Sequence, residues 1–173
     1  MIDLTNAKEE FIKYTKKFNL KDKNIEGKQQ HSIRVMKIST EIAKGLKLSK
    51  EEIKLATLIG LLHDIARFKQ YEEYQTFRDY ESFDHGDKGV EILKKNNFLR
   101  KFIKESKYDE IIYKAIKNHN KFKIEDGLSE RELMFSKIIR DADKIDIIYE
   151  ATCIFYVGEE QEIENSYVSD KVF

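Results

Sequence analysis

The stretch Leu58 to Phe68 reads Leu-Ile-Gly-Leu-Leu-His-Asp-Ile-Ala-Arg-Phe and places His63 and Asp64 side by side in the most apolar run of the chain. Burying an unpaired carboxylate is so unfavourable that such groups are normally paired, bound to a metal or neutralised. We therefore interpret the pair as part of a metal site. The alternative is a structural hydrogen bond between the pair and neighbouring chain.

The residues around this stretch predict a buried helix. Ser49 followed by Glu52 is a capping-box pattern, and the residues after it are apolar on almost every side up to Ile65. Proline is absent, and only seven glycines occur in the 173 residues, which is typical of helices. We predict an all-α protein, a single helical-bundle domain over residues 1–173 with roughly six to seven helices. A capping helix from Asn6 to Phe18 lies within residues 1–20, and residues 151–173 form a C-terminal tail.

Charge and cysteine content exclude some classes of function. The 32 basic and 32 acidic residues cancel, which argues against a bulk nucleic-acid or membrane-surface binder. The single Cys153 excludes an intrachain disulfide and fits a reducing compartment. Neither a signal-peptide core nor a run of about 20 apolar residues is found, so we expect a soluble, cytoplasmic protein.

The other three histidines lie at helix ends or on apolar stripes. His31 shares a stripe with Val35, Ile38, Ile42 and Leu46 in a helix predicted from Lys28 to Leu46, after a polar connection from Lys21 to Gly27. Asp84 can cap a helix that begins with His85, and His119 ends a helix predicted from about Tyr108 to Asn118. Alone, each could be a satisfied core or solvated residue. Together with Asp64 they favour Mn, Fe, Co, Ni or Zn, because imidazole and carboxylate suit these metals.

A late helix supplies further carboxylates. Ser129 and Glu132 form a second capping-box pattern, and the helix is predicted from Glu130 to about Tyr149. Its apolar face consists of Phe135, Ile138, Ile139, Ala142, Ile145 and Tyr149. Asp141 and Asp146 lie at the edges of this face and Asp143 lies further round, so periodicity does not choose Asp143. In the tail, Ser169 and Asp170 resemble the start of another helix.

The segment from Arg67 to Asp84 is less regular and has an aromatic residue at every third position: Phe68, Tyr71, Tyr74, Phe77, Tyr80 and Phe83. One interpretation is a lid whose rings stack on a base or sugar and whose cations meet phosphate. The other is a loop that its rings attach to the bundle. This segment or the tail could contribute to a homodimer, which the sequence leaves open.

The order of these residues resembles the HD superfamily of metal-dependent phosphohydrolases. Its signature of a distant histidine, an adjacent His-Asp pair and a late aspartate is matched by His31, His63 with Asp64, and Asp143 in Asp-Ala-Asp-Lys-Ile-Asp. The resemblance covers about residues 27–150 and implies an HD-type bundle with the metal site in its core. It selects Asp143, with Asp141 as the fallback. By resemblance to binuclear branches, His85 and His119 would hold a second metal, with Asp64 bridging the two.

The resemblance implies hydrolysis of a small phosphorylated molecule, in particular a nucleotide, by water that a metal activates. Asp64 or Asp143 would orient the nucleophile. Arg67 would stabilise phosphoryl charge, unless it is only an exposed cap of the helix. The absence of proline argues against the branch with a glycine-tyrosine-proline signature, which cleaves cyclic dinucleotides. The alternatives are a non-catalytic nucleotide-binding or regulatory HD module, a di-iron oxygenase on the same scaffold, and a purely structural helical protein.

Overall fold

The structure is a computed structural model that describes residues 2–157, with side chains as far as Thr152. This part of the chain contains seven α-helices and no β-strand, which confirms the all-α prediction. The helices are α1 (Leu4–Thr15), α2 (Lys23–Gly45), α3 (Lys50–Leu62), α4 (Arg67–Tyr74), α5 (His85–Lys94), α6 (Asp109–Asn118) and α7 (Glu130–Val157). Short 3-10 segments span Asp79–Glu81, Lys95–Lys101 and Ser106–Tyr108. The predicted tail beyond residue 157, with Ser169 and Asp170, lies outside the described residues.

Side-chain caps decide where the helices begin. The reciprocal capping box of Ser49 and Glu52 is present at the start of α3, and the Asp84 carboxylate accepts from the backbone N–H of Asp87 at the start of α5. The start of α2 differs from the prediction. Asp22 accepts from the N–H of Asn24, so α2 begins five residues before Lys28 and includes most of the predicted connection. The first helix is also shifted, to residues 4–15.

The core is built around α3, as its continuous apolar sequence predicts. All eight residues from Leu55 to Leu62 are buried, and α3 packs against α1, α2, α6 and α7. On one side the rings of Phe11, Tyr14 and Phe18 pack against Phe68 with centroid distances of 5.7 to 6.0 Å. Phe68 is therefore a core residue and not part of a lid, and the segment predicted as irregular begins with a helix, α4.

Two glycines allow helices to approach closely where histidines meet. A Cβ at Gly60 would lie 2.6 Å from the Ser39 hydroxyl and 3.0 Å from the Met36 Cα, so Gly60 lets α3 lie directly against α2. A Cβ at Gly86 would lie 2.5 Å from Asn120 and 2.9 Å from the carbonyl of Lys117, so Gly86 brings the start of α5 to the end of α6. The first approach joins the helices that carry His31 and His63, and the second joins those of His85 and His119.

The last helix departs from the predicted face and end. α7 continues past Tyr149 to Val157, so residues 151–157 of the predicted tail are helical. Ile145 and Tyr149 are about half exposed, whereas Asp146 is buried. The face turned to α2 is polar here because it meets the side chains of His31 and Arg34. Across the described residues, none of the helices combines the length and apolarity that crossing a membrane requires.

Candidate metal centre

The first group of candidate ligands joins α2, α3 and α7. Nε2 of His31 lies 3.2 Å from Nε2 of His63, and both side chains are buried. Oδ1 of Asp143 lies 3.1 Å from the His31 nitrogen and 3.5 Å from the His63 nitrogen. Oδ2 of Asp64 lies 3.5 and 3.6 Å from the same two atoms. Two imidazoles and two carboxylates thus face one point.

The second group lies on the other side of Asp64. Nε2 of His85, the first residue of α5, lies 3.0 Å from Nε2 of His119, which follows the end of α6. Oδ1 of Asp64 lies 3.6 Å from the His85 nitrogen and 3.5 Å from the His119 nitrogen. Asp64 therefore turns one carboxylate oxygen to each histidine pair, the arrangement of a carboxylate that bridges two ions.

Backbone carbonyls determine which ring nitrogen faces the centre. Nδ1 of His63 lies 2.8 Å from the carbonyl oxygen of Gly60, and Nδ1 of His119 lies 2.6 Å from that of Ile116. A carbonyl only accepts, so each Nδ1 carries a hydrogen, and Nε2, which has the lone pair in the form that binds a metal, faces the centre.

The spacing of these ring nitrogens shows whether the residues fit a metal. Their lone pairs meet other ring nitrogens and carboxylate oxygens, groups that repel one another unless a cation or protons lie between them. Two nitrogen ligands of one ion, each about 2.0–2.1 Å from it, lie roughly 3 Å apart. The nitrogen separations of 3.2 Å (His31 to His63) and 3.0 Å (His85 to His119) match this spacing. The buried histidines and aspartates therefore fit a divalent metal site.

Carboxylates outside the centre hold the other two rings. Nδ1 of His31 lies 2.7 Å from Oδ2 of Asp146, and Nδ1 of His85 lies 2.6 Å from Oδ2 of Asp79. Arg34 donates to both oxygens of Asp146, at 2.7 and 2.9 Å, and also to Glu150. A carboxylate behind a ligating histidine fixes the ring orientation and raises the basicity of the ligand. Each histidine pair thus has one ring held by a carboxylate and one held by a backbone carbonyl.

The two inner carboxylates are ionised. Burial would raise the pKa of Asp64, but the positive charges of Lys28 and Arg67 hold it well below its ordinary value. Burial also acts to raise the pKa of Asp143, but its close contacts with His31 and His63 hold the pKa well below its ordinary value. Both residues therefore carry the charge that a metal ligand needs.

The histidines differ in how readily they take up a proton. Burial lowers the pKa of His63, and it lowers that of His85 to about 4. For His31, burial lowers the pKa, but the hydrogen bonds with Asp143 and Asp146 outweigh it and leave the pKa above its ordinary value. A metal that binds to the free protein must therefore displace a proton from His31. His63 and His85 are already neutral at pH 7.

The structure brings six of the predicted residues together: His31, His63, Asp64, His85, His119 and Asp143. The fallback Asp141 is exposed on α7 and does not join them. Arg67 lies beside the cluster and is not an exposed helix cap, since its side chain is only 14% exposed. Its Nη1 donates to Gln70, to the carbonyl of Phe77 and to Asp79.

Sequence reasoning missed the supporting residues Asp79, Asp146 and Arg34. The spacing along α7 could have identified Asp146, because it lies three residues after the predicted ligand Asp143 and therefore on nearly the same side of the helix. The sequence gives no such signal for Asp79, which lies in an irregular connection and reaches His85 only through the folding of residues 75–84.

Comparison with known protein families matches residues 29–148 to the family described as HD domain. The matched region contains every candidate ligand and both supporting aspartates. Comparison with curated proteins and with solved structures gives no match.

Proposed function

The chain belongs to the HD domain family, and on this basis we propose that it is a metal-dependent phosphohydrolase that acts on a small phosphorylated molecule, in particular a nucleotide. The observation that carries the proposal is the position of Asp64, whose two oxygens face two separate histidine pairs. A shared carboxylate between two ions is suited to phosphoryl chemistry, in which both the attacking and the leaving oxygen need stabilisation.

In this proposal His31, His63, Asp64 and Asp143 hold one ion, and Asp64, His85 and His119 hold a second. A bound divalent ion would supply the Lewis acidity that lowers the pKa of water towards 7. Asp143 is 16% exposed and Asp64 only 3%, so Asp143 is the carboxylate that entering water and substrate meet. Asp143 would orient the nucleophile. Arg67 would stabilise charge on the phosphoryl oxygens.

The choice of a nucleotide is supported by aromatic residues next to the centre. The rings of Tyr71 and Phe77 pack at a centroid distance of 4.9 Å and an interplanar angle of 31°, and both side chains are partly exposed. Arg67, which lies against Asp64, has its guanidinium 5.8 Å from the centre of the Phe77 ring. A ring that can stack on a base beside a cation that can meet phosphate suits a nucleotide.

The test is a metal analysis combined with a screen of phosphorylated metabolites on the purified full chain. We expect bound divalent metal and phosphate release in the wild type. The double variant His63→Ala, Asp64→Ala should lose both, and Asp64→Asn, which keeps the shape of the side chain, should lose activity while circular dichroism shows a folded helical protein. Asp141→Asn changes an exposed carboxylate on α7 and should behave as the wild type.

Three outcomes would overturn the proposal. Turnover that survives in the metal-depleted double variant would exclude metal-dependent catalysis. Nucleotide binding to the metal-loaded wild type without product would indicate a regulatory HD module. Strict dependence of product formation on iron and dioxygen would indicate a di-iron oxygenase.

A further inference from the structure

Lys28 connects the centre of the cluster to solvent. It lies on α2, three residues before His31, and its Nζ is 3.3 Å from Oδ2 of Asp64. The side chain of Lys28 is 22% exposed, whereas that of Asp64 is 3% exposed. Lys28 therefore joins the buried shared carboxylate to a side chain that solvent can reach.

A second cation faces the other oxygen of the same carboxylate. Nε of Arg67 lies 3.6 Å from Oδ1 of Asp64, which is too far for a hydrogen bond. While Nη1 of Arg67 has three acceptors, its Nε is buried and has no hydrogen-bond partner among the described residues. A buried donor without an acceptor is rare, and an anionic group bound beside Arg67 would supply the missing acceptor.

The Phe77 ring holds both cations in position. Nζ of Lys28 lies 5.3 Å from the ring centre and the Arg67 guanidinium carbon lies 5.8 Å from it, within cation–π distance. Phe77 packs on Tyr71, whose hydroxyl accepts a hydrogen bond of 2.7 Å from Asn24 on α2. The long Lys28 side chain is therefore ordered before any substrate arrives, which reduces the entropy lost on binding.

Metal binding would change the charge balance around these cations. In the metal-free protein, Lys28 faces one oxygen of Asp64 and Arg67 faces the other. Metal ions at the two histidine pairs would share both oxygens of Asp64, so both cations would lose much of the negative charge that they now face. A cation left without a counter-charge in a partly buried site is unfavourable. Metal loading would therefore favour the binding of an anion between Lys28 and Arg67.

We propose that Lys28, together with Nε of Arg67, binds a phosphate group of the substrate, and that Lys28 selects for phosphorylated over uncharged molecules. This inference deepens the proposed function and rests on it. Lys28 acts as a point charge with rotatable donors, whereas the Arg67 guanidinium is held through Nη1, which donates to three acceptors. Gln70 and Asp79 hold the guanidinium of Arg67, and the Phe77 ring orders Lys28 beside it.

The experiment measures binding of inorganic phosphate to the full-length chain loaded with Mn²⁺, by titration calorimetry, with metal content determined on the same samples. Lys28→Met removes the charge and keeps an apolar stem against Phe77. We expect its phosphate dissociation constant to rise about tenfold or more, as for the loss of a charge-assisted hydrogen bond, with unchanged metal content. Lys28→Arg should retain most of the affinity. Lys37→Met, which removes an exposed lysine from the same helix, is the matched control.

Two results would overturn the inference. In the first, Lys28→Met binds phosphate as tightly as the wild type. In the second, Lys28→Met loses metal, and its phosphate binding falls only as much as its metal content does. That result would mean that Lys28 positions Asp64 for the metal and does not bind phosphate. Failure of the proposed function gives a different result, because a wild type that binds Mn²⁺ and phosphate but hydrolyses no phosphorylated metabolite would refute catalysis and leave the phosphate site intact.

Discussion

Oδ2 of Asp146 lies 2.7 Å from Nδ1 of His31, on the side of the ring opposite to the nitrogen that faces His63. Asp146 is 1% exposed, and Arg34 donates to both of its oxygens. Arg34 therefore fixes the Asp146 carboxylate, and the carboxylate in turn fixes the His31 imidazole. This residue, which lies outside the set predicted from the sequence, sets the orientation of the first candidate ligand.

Asp146→Asn should weaken metal binding at the His31 site. The amide keeps the size of the carboxylate but loses the charge that holds the Nδ1 hydrogen, and loss of such a partner typically reduces metal affinity about 10- to 100-fold. Titration with Zn²⁺ or Mn²⁺ against a competing chelator measures the change. Asp141→Asn, an exposed position on the same helix, is the control and should leave the affinity unchanged. Equal affinities for the two variants would contradict the role given to Asp146.

Asp79→Asn should affect the other histidine pair. Asp79 holds Nδ1 of His85 at 2.6 Å and also accepts from Gln70 and Asn120. At a metal concentration that fills both sites of the wild type, we expect the variant to bind close to one ion per chain, measured by elemental analysis after gel filtration. If its metal content still equals that of the wild type after stringent washing, Asp79 does not support the second site.

Gly60→Ala should destabilise the protein and disturb the His31 and His63 pair. The added methyl would lie 2.6 Å from Ser39 and 3.0 Å from backbone atoms of α2, so the helices must separate. Overpacking of this kind costs about 1–3 kcal/mol in the free energy of unfolding. Gly27→Ala is the matched control, since nothing lies within 4 Å of its Cβ position and alanine favours a helix interior by up to about 1 kcal/mol. Urea unfolding of both variants should therefore show shifts of opposite sign.

The metal-free protein should lose stability as the pH falls from 8 to 5, partly because of His85. Burial lowers the folded-state pKa of this residue to about 4, whereas the unfolded chain has an ordinary value of about 6.5. Between these values the unfolded chain binds a proton that the folded chain does not, so acid favours unfolding, by about 2 kcal/mol at pH 5. Urea unfolding in the presence of a chelator measures this effect. His85→Asn should show a flatter pH profile, and identical slopes in the two proteins would exclude His85 as a contributor.

Much of the fold follows from local sequence signals. The capping patterns of Ser49 with Glu52 and of Asp84 predict helix starts that the structure confirms. The helical periodicity around His31 and the continuous apolar run before His63 predict their burial, because each places the histidine on the same surface as core residues. These signals depend only on neighbours within one helix.

The parts that sequence reasoning misjudged depend on contacts between elements. Ile145 and Tyr149 continue the apolar spacing of α7, yet Asp146 is the buried residue, because the facing part of α2 offers His31 and Arg34 instead of apolar side chains. The role of Asp79 is hidden for the same reason. Periodicity along one helix does not reveal what the opposite helix presents.

Apart from the adjacent His63 and Asp64, each of the six clustered residues comes from a different helix or helix end, and they span 31 to 143 in the chain. A partly folded molecule holds only that local pair, so tight cation capture has to wait until the long-range contacts of α2, α5, α6 and α7 are made. Partly folded copies would therefore bind a divalent ion only weakly, and the metal content of a sample would report the fraction of molecules that have completed folding.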